Sequence, residues 1–175
     1  RRAMERVSGI PGVEDAALAG IVPVGASIET ENVAPEGQEP ADFADWPEID
    51  TATISPGYFA TMSIPLIQGR DFYWKDDESS PIVAIVNETA ARRFWPGESP
   101  VGKRLVLGRG ERQKRGEVIA VARDTKIRTL GEDPRPQVYW TSAQDYSPVM
   151  YVLARARGNP DSALETVRRE LVAMD

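Results

Sequence analysis

Histidine and cysteine are both absent from this chain of 175 residues. Their absence excludes a Ser-His-Asp or Cys-His nucleophile pair, a Cys/His zinc site, an iron–sulfur cluster, a disulfide and a haem ligated by either residue. Proton transfer near neutral pH would fall to a perturbed carboxylate or lysine. A cysteine-free chain is at home in either redox environment, so this absence does not fix a compartment. Positive charge is in deficit: 21 Lys+Arg stand against 27 Asp+Glu, a formal charge of −6. That balance argues against non-specific nucleic-acid binding and against attraction to an anionic membrane surface. Long apolar runs are missing too. The longest, residues 82–86 and 118–122, fall far short of the ~20 residues of a spanning helix, and the N-terminus lacks the apolar core of a signal peptide. The chain opens Arg1-Arg2-Ala3-Met4, which reads as a piece taken from something longer.

What is present is ordinary for a globular protein: 41% hydrophobic and 27% charged residues. A chain of this size buries roughly 70% of its unfolded surface. Residues 1–8 read as the last turns of a helix with Met4 and Val7 on its apolar edge, stopped by Gly9 and Pro11. Residues 13–22 predict a strand. Residues 23–47 are acidic, rich in Gly and Pro and aperiodic, which predicts a long loop or loose hairpin excursion; loops of such length are functional or mobile. Residues 49–54 alternate and predict a strand. Ser55 as N-cap and Pro56 at the first helical position then open a short helix limited by Pro65. After an extended segment at 65–69 and a charged turn at 75–80, residues 82–86 read as a buried strand. Asn87 caps a helix over 88–95, with Glu88 and Arg92 as an i,i+4 pair. Strands follow at 105–107 and 117–122 around a basic turn at 108–116, and again at 137–140 and 149–156. Asn159-Pro160-Asp161 caps a final helix with Leu164, Val167, Leu171 and Val172 on one face. Helices at both ends predict a context in which both continue.

Few residues offer chemistry. Gly108-Arg109-Gly110 lacks the third glycine and following helix of a phosphate loop, and reads as a hairpin turn. Arg109, Arg112, Lys114 and Arg115 form a basic stretch that suits a solvated turn better than an anion site. Asp71, Glu88 and Asp124 sit at element boundaries, where an acid/base pair is conceivable, yet capping, turn and ion-pair roles account for them more simply. The aromatic pairs Tyr58-Phe59 and Phe94-Trp95 favour core packing over a ligand cleft. No catalytic, cofactor-binding or metal-binding residue is assigned, and no cofactor is implied.

The order of motifs carries more than any single residue. Residues 54–62 (Ile-Ser-Pro-Gly-Tyr-Phe-Ala-Thr-Met) followed by 64–72 (Ile-Pro-Leu-Ile-Gln-Gly-Arg-Asp-Phe) resemble the "sPgyF.tlgipll.GRdF" signature of MacB-like periplasmic core domains. Residues 83–103, 118–124, 134–139, the opening 7–13 and the closing strand and helix continue the resemblance, with 23–47 the least family-like part. The resemblance implies an α+β domain of two lobes: a porter-like lobe built from residues 1–74 and 147–175 and a smaller inserted α/β lobe over 75–146. It also implies a non-catalytic, periplasmic or extracytoplasmic domain of a cell-membrane ABC-transporter permease of the MacB/FtsX type. Such a domain relays motion driven by a cytoplasmic ATPase toward export or extrusion. The implied partners are that ATPase, a second permease protomer in a homodimer and a periplasmic adaptor, with no nucleic acid, and with the membrane reached through flanking helices. Two other readings are weighed: an extracytoplasmic small-molecule binding module, which needs a deep apolar pocket, and a carboxylate-dependent hydrolase, which needs two of Asp71, Glu88 and Asp124 within ~10 Å in one cleft.

Overall fold

A computed structural model describes residues 2–22, 25, 28–108, 110, 113–126, 128–129, 131–145 and 147–173. In chain order these form α1 (Arg2–Ser8), β1 (Val13–Ala19), β2 (Glu29–Pro35), a 3-10 turn (Phe43–Asp45), β3 (Glu48–Ile54), α2 (Tyr58–Thr61), β4 (Leu66–Gly69), β5 (Val83–Asn87), α3 (Glu88–Phe94), β6 (Arg104–Leu107), β7 (Lys114–Ala122), β8 (Gln137–Thr141), β9 (Tyr151–Ala156) and α4 (Pro160–Val172). The result is a mixed α/β architecture dominated by strands.

The strands join in the order β2-β6-β7-β5-β8-β3-β1-β9, with β4 attached to β7. β2 also pairs with β3, so six strands close into a hydrogen-bonded ring. β2 makes this closure by dividing its length. Residues 29–32 run antiparallel to β3, and residues 33–35 run antiparallel to β6. Two pairings in the ring are parallel, β3 with β8 and β5 with β7. β1 and β9 extend the sheet outward from β3.

Side chains alternate across each strand, and that alternation sorts the core. Along β8, Val138 and Trp140 join one cluster with Val33, Ile49, Ala84, Val86, Leu105, Leu107 and Val118 from the other ring strands, together with Phe94 of α3 and Trp95 just after it. Tyr139 between them joins a second cluster with Ile54, Ile85, Ala120, and Tyr58 and Phe59 of α2. Both aromatic pairs are therefore core residues, Tyr58–Phe59 and Phe94–Trp95 each meeting edge to face.

Several sequence expectations need correction. The excursion 23–47 contains β2, a full member of the ring; its acidic and Pro-containing sequence hides the alternation. α2 is not capped by Ser55. The Ser55 hydroxyl instead accepts the Leu18 N–H at 2.8 Å, tying β1 to β3, and the N-cap is Gly57, at φ 87°. β7 begins at Lys114, so the turn after β6 is shorter than 108–116. On α4, Val167 is buried, but Leu164 and Val172 are 65% and 68% exposed. β9 is the last strand of the sheet among the described residues, and Leu164 borders an open groove beside it. Asn87 and Asn159 cap α3 and α4 as expected, accepting from the N–H of Ala90 and of Asp161.

Candidate functional site

The three candidate carboxylates are each committed to structure. Asp71 accepts the Gly57 N–H at 3.1 Å and the Phe72 N–H at 2.7 Å, fixing the start of α2. Burial pushes its carboxyl up from the usual range, and those two N–H bonds and Arg70 oppose the rise. Glu88 and Asp124 do come together. The Asp124 N–H donates to Glu88 Oε2 at 3.1 Å, while Asp124 accepts the Thr89 N–H, the Thr89 hydroxyl and the Arg92 guanidinium at 2.8–2.9 Å. Arg92 thus pairs with Asp124, and the expected bond to Glu88 gives way to this reciprocal cap of α3. Asp71 is engaged elsewhere, at α2. The arrangement anchors two helices, and no two of these three carboxylates line one open groove.

In the basic stretch, Lys114 and Arg115 fall on β7 and not in a turn, and pair with Asp145 and Glu36. Arg109 and Arg112 lie outside the described residues. Among the described residues no group of three or more Asp or Glu is placed to hold a metal ion, and no helix is long and apolar enough to cross a membrane.

What the fold does assemble is a joint between its two chain ends. α1 and α4 lie side by side on the β1–β9 pair. Met4, Val7, Ile10 and Val167 are buried together there, with Val13, Leu18, Val152 and Leu171 packed around them. Arg6 bonds Glu170 at 2.9 Å on the outside of the joint. At the other face of β9, Arg155 donates to the carbonyls of Ala60 and Thr61 and to the Ser63 hydroxyl, clamping the end of α2. An open groove of about 520 Å³ runs between β9 and α4, lined by Met62, Val152, Leu153, Leu164 and Val167 among others.

Two features escape a reading of the sequence. Asp50, 4% exposed, is gripped by Arg128 at 2.5 Å and Arg135 at 3.1 Å, which ties β3 to the segment leading into β8. Glu31 and Trp140, on β2 and β8, meet at a small cavity at one end of the strand ring. Glu31 is the sole hint of the latter in the sequence, a charge standing where β2 alternates toward Val33.

Solved structures of other proteins share this fold, among them the three that follow. The periplasmic region of MacB from Actinobacillus actinomycetemcomitans superposes with a TM-score of 0.68 at 14% identity, over 99% of this chain and 72% of that one. The extracellular domain of the noncanonic ABC-type transporter YknZ from Gram-positive bacteria gives 0.60 at 15% identity, over 95% and 76%. A domain of a permease protein from Porphyromonas gingivalis gives 0.63 at 16% identity, over 99% and 69%. No curated protein matches the chain in sequence. The profile of the MacB-like periplasmic core domain, however, matches residues 5–173. With its ordered motifs, its strand-rich fold and nearly its whole length accounted for, the chain belongs to the MacB-like periplasmic core domain family, the extracytoplasmic domain of an ABC-transporter permease.

Proposed function

We propose that this domain is a non-catalytic relay. In this reading, residues 1–74 and 147–175 form a porter-like lobe that receives the displacement of membrane helices, and residues 75–146 form the lobe inserted in it. ATP is hydrolysed by a cytoplasmic ATPase of the same transporter, and a second permease protomer completes a homodimer. The motion reaches cargo or a periplasmic adaptor on the outside, driving export or extrusion.

The observation that carries this reading is the joint between the chain ends. Val7 of α1 and Val167 of α4 share one apolar cluster, so a push on either helix moves both together with the β1–β9 pair. Asp71 and Arg155 then hold α2 to the same unit through bonds to Gly57 and to the carbonyls of Ala60 and Thr61. Packed interiors of this kind move as bodies and do not deform gradually, which suits transmission between two discrete arrangements biased by nucleotide state. The carboxylates weighed for hydrolysis are spent on helix caps, in keeping with a domain of contact and movement.

The test is a cross-link between the outside domains of the two protomers in the full-length permease. Both ATP turnover and transport should stall, and recover when the link is cleaved. Unhindered turnover and transport with the link in place would overturn the relay.

A further inference from the structure

The sheet ends at β9, and the outer edge of that strand stays open. Which of its backbone groups face outward follows from the register. Leu18 spends both its N–H and its C=O on Ser55, just past β3. Ala17 and Ala19 therefore turn theirs toward β9, where they stand opposite Leu153 and Tyr151. Successive residues of an antiparallel strand alternate in this respect. Val152 and Ala154 thus point N–H and C=O away from the sheet, and among the described residues nothing bonds them. Exposed edges are commonly blunted by Lys or Pro or by a covering element; β9 contains neither residue.

The groove of about 520 Å³ lies along this edge. α4 walls one side of it with Ala163, Leu164 and Val167, and the end of α2 walls the other with Thr61 and Met62. Val152 packs toward the first wall and Leu153 toward the second. An open strand edge between two apolar walls is suited to receive an added strand, whose main chain supplies affinity and whose alternate side chains supply specificity. One charge stands beside it. Arg155 donates through Nε and Nη2 to the carbonyls of Ala60 and Thr61 and to the Ser63 hydroxyl. Those acceptors are all neutral, and Nη1 has no partner among the described residues. Asp161, the carboxylate on the groove lining, sits in the first turn of α4, where the helix N–H groups already meet its charge.

We propose that β9 receives an extended segment of a protein partner, added antiparallel as a further strand, in which an acidic residue is followed by aliphatic ones. The carboxylate stands opposite Arg155 and accepts from Nη1. The next side chain stands opposite Ala154, where the small side chains of Ala154 and Ala163 leave room for a large aliphatic group against Leu164. The one after it stands opposite Leu153 and packs on Met62. The partner residues opposite Ala154 and Val152 exchange N–H···O bonds with them. A second copy of this chain is a poorer occupant. Its β9 would arrive wall against wall, and Tyr151–Ala156 contains no carboxylate to offer Arg155.

The test is a nuclear magnetic resonance titration of the isotope-labelled 175-residue chain with the capped peptide Ser-Asp-Leu-Val-Val-Ser. The amide signals of Val152 and Ala154 should shift saturably at sub-millimolar peptide, and their hydrogen exchange should slow. N-methylation of the leucine removes the N–H aimed at Ala154 and should weaken binding at least about tenfold. N-methylation of the first valine, whose N–H faces away, should change it less than about threefold. Asparagine in place of the aspartate should weaken binding at least about threefold. In the protein, Ala154→Pro removes the outward N–H while sparing the β1 ladder and should abolish binding. Leu164→Ser, at an exposed position, should weaken it several-fold whether or not the proline variant folds. The proposal is overturned if nothing saturates, if both N-methylated peptides bind as the parent does, or if the asparagine peptide matches the aspartate one. It is equally overturned if the free chain sediments as a dimer with Val152 and Ala154 already protected, since a second copy then covers the edge. None of these outcomes bears on the relay, which the cross-link between protomers tests separately.

Discussion

Val167→Ala probes the joint between the chain ends directly. The side chain is 6% exposed and lies in the cluster with Met4, Val7 and Ile10. Losing both γ-methyls forfeits ~1.6 kcal/mol of transfer free energy at about 0.8 kcal/mol per group, and an incompletely collapsed cavity brings the cost to about 2 kcal/mol. In a chain of this size that lowers Tm by roughly 4–8 °C. Val7→Ala, at 0% exposed, should cost about the same. The informative quantity is the double variant. If α1 and α4 are packed as one unit, the second truncation falls into a site already loosened, and the cycle yields a coupling of at least about 0.5 kcal/mol. Urea unfolding of the four proteins measures it. Additivity within about 0.3 kcal/mol would mean that the sheet holds each helix independently, and the joint would lose its mechanical meaning. The partly exposed Arg6–Glu170 pair serves as the contrast. Arg6→Gln should change stability by at most about 0.5 kcal/mol, an effect erased by high salt.

Three further outcomes follow from local geometry. Gly69→Ala places a Cβ 1.9 Å from the Ile119 carbonyl oxygen at a φ of +78°; the β4–β7 pairing must open, and circular dichroism melts should show a loss above about 4 kcal/mol or no folded protein. Asp124→Ala strips the acceptor from the Thr89 N–H and from Arg92, and chemical denaturation should register a loss of about 1–2 kcal/mol. Asp76→Asn tests a pH effect. Burial pushes Asp76 up, but the bidentate grip of Arg70 and the Tyr73 N–H outweigh it and hold the carboxyl below the usual range. A lowered folded pKa means the contribution is complete above the unfolded value and disappears as pH falls through the folded one. The difference between native and variant urea midpoints should therefore be constant from neutrality downward and close below about pH 4.

Local signals were legible wherever the structure is local. Asn87 and Asn159 announce helix starts because the side chain needed to cap them must sit in sequence just ahead of the helix. Residues 82–86 and 118–122 announce strands because both of their faces are buried, one in each core cluster, which leaves no polar side to alternate. The failures share a different cause. Ser55 has the grammar of a cap, but its hydroxyl is claimed by Leu18, a residue far back in the chain. β2 is held by β3 and β6, and Glu31 and Pro35 within it are tolerated by those partners in ways that no short window reveals. Asp50 meets Arg128 and Arg135, and Glu31 meets Trp140, only once β8 has entered the ring. What the motif order identified was the family; what it left out was every contact made across the ring.

The order in which the strands find their partners bears on how the domain is made. β1 pairs with β3 at Ala19 and Ile54 alone, and otherwise along six residue positions with β9. β3 and β5 both wait for β8. A chain that crosses a membrane N-terminus first presents β1 and β3 long before β8 and β9 arrive, and non-local pairings of this kind close slowly. During that interval the early strands carry open edges and bare apolar faces, the condition in which chains aggregate. Substitutions that delay the docking of β8, β9 and α4 should therefore lower yield before they lower stability.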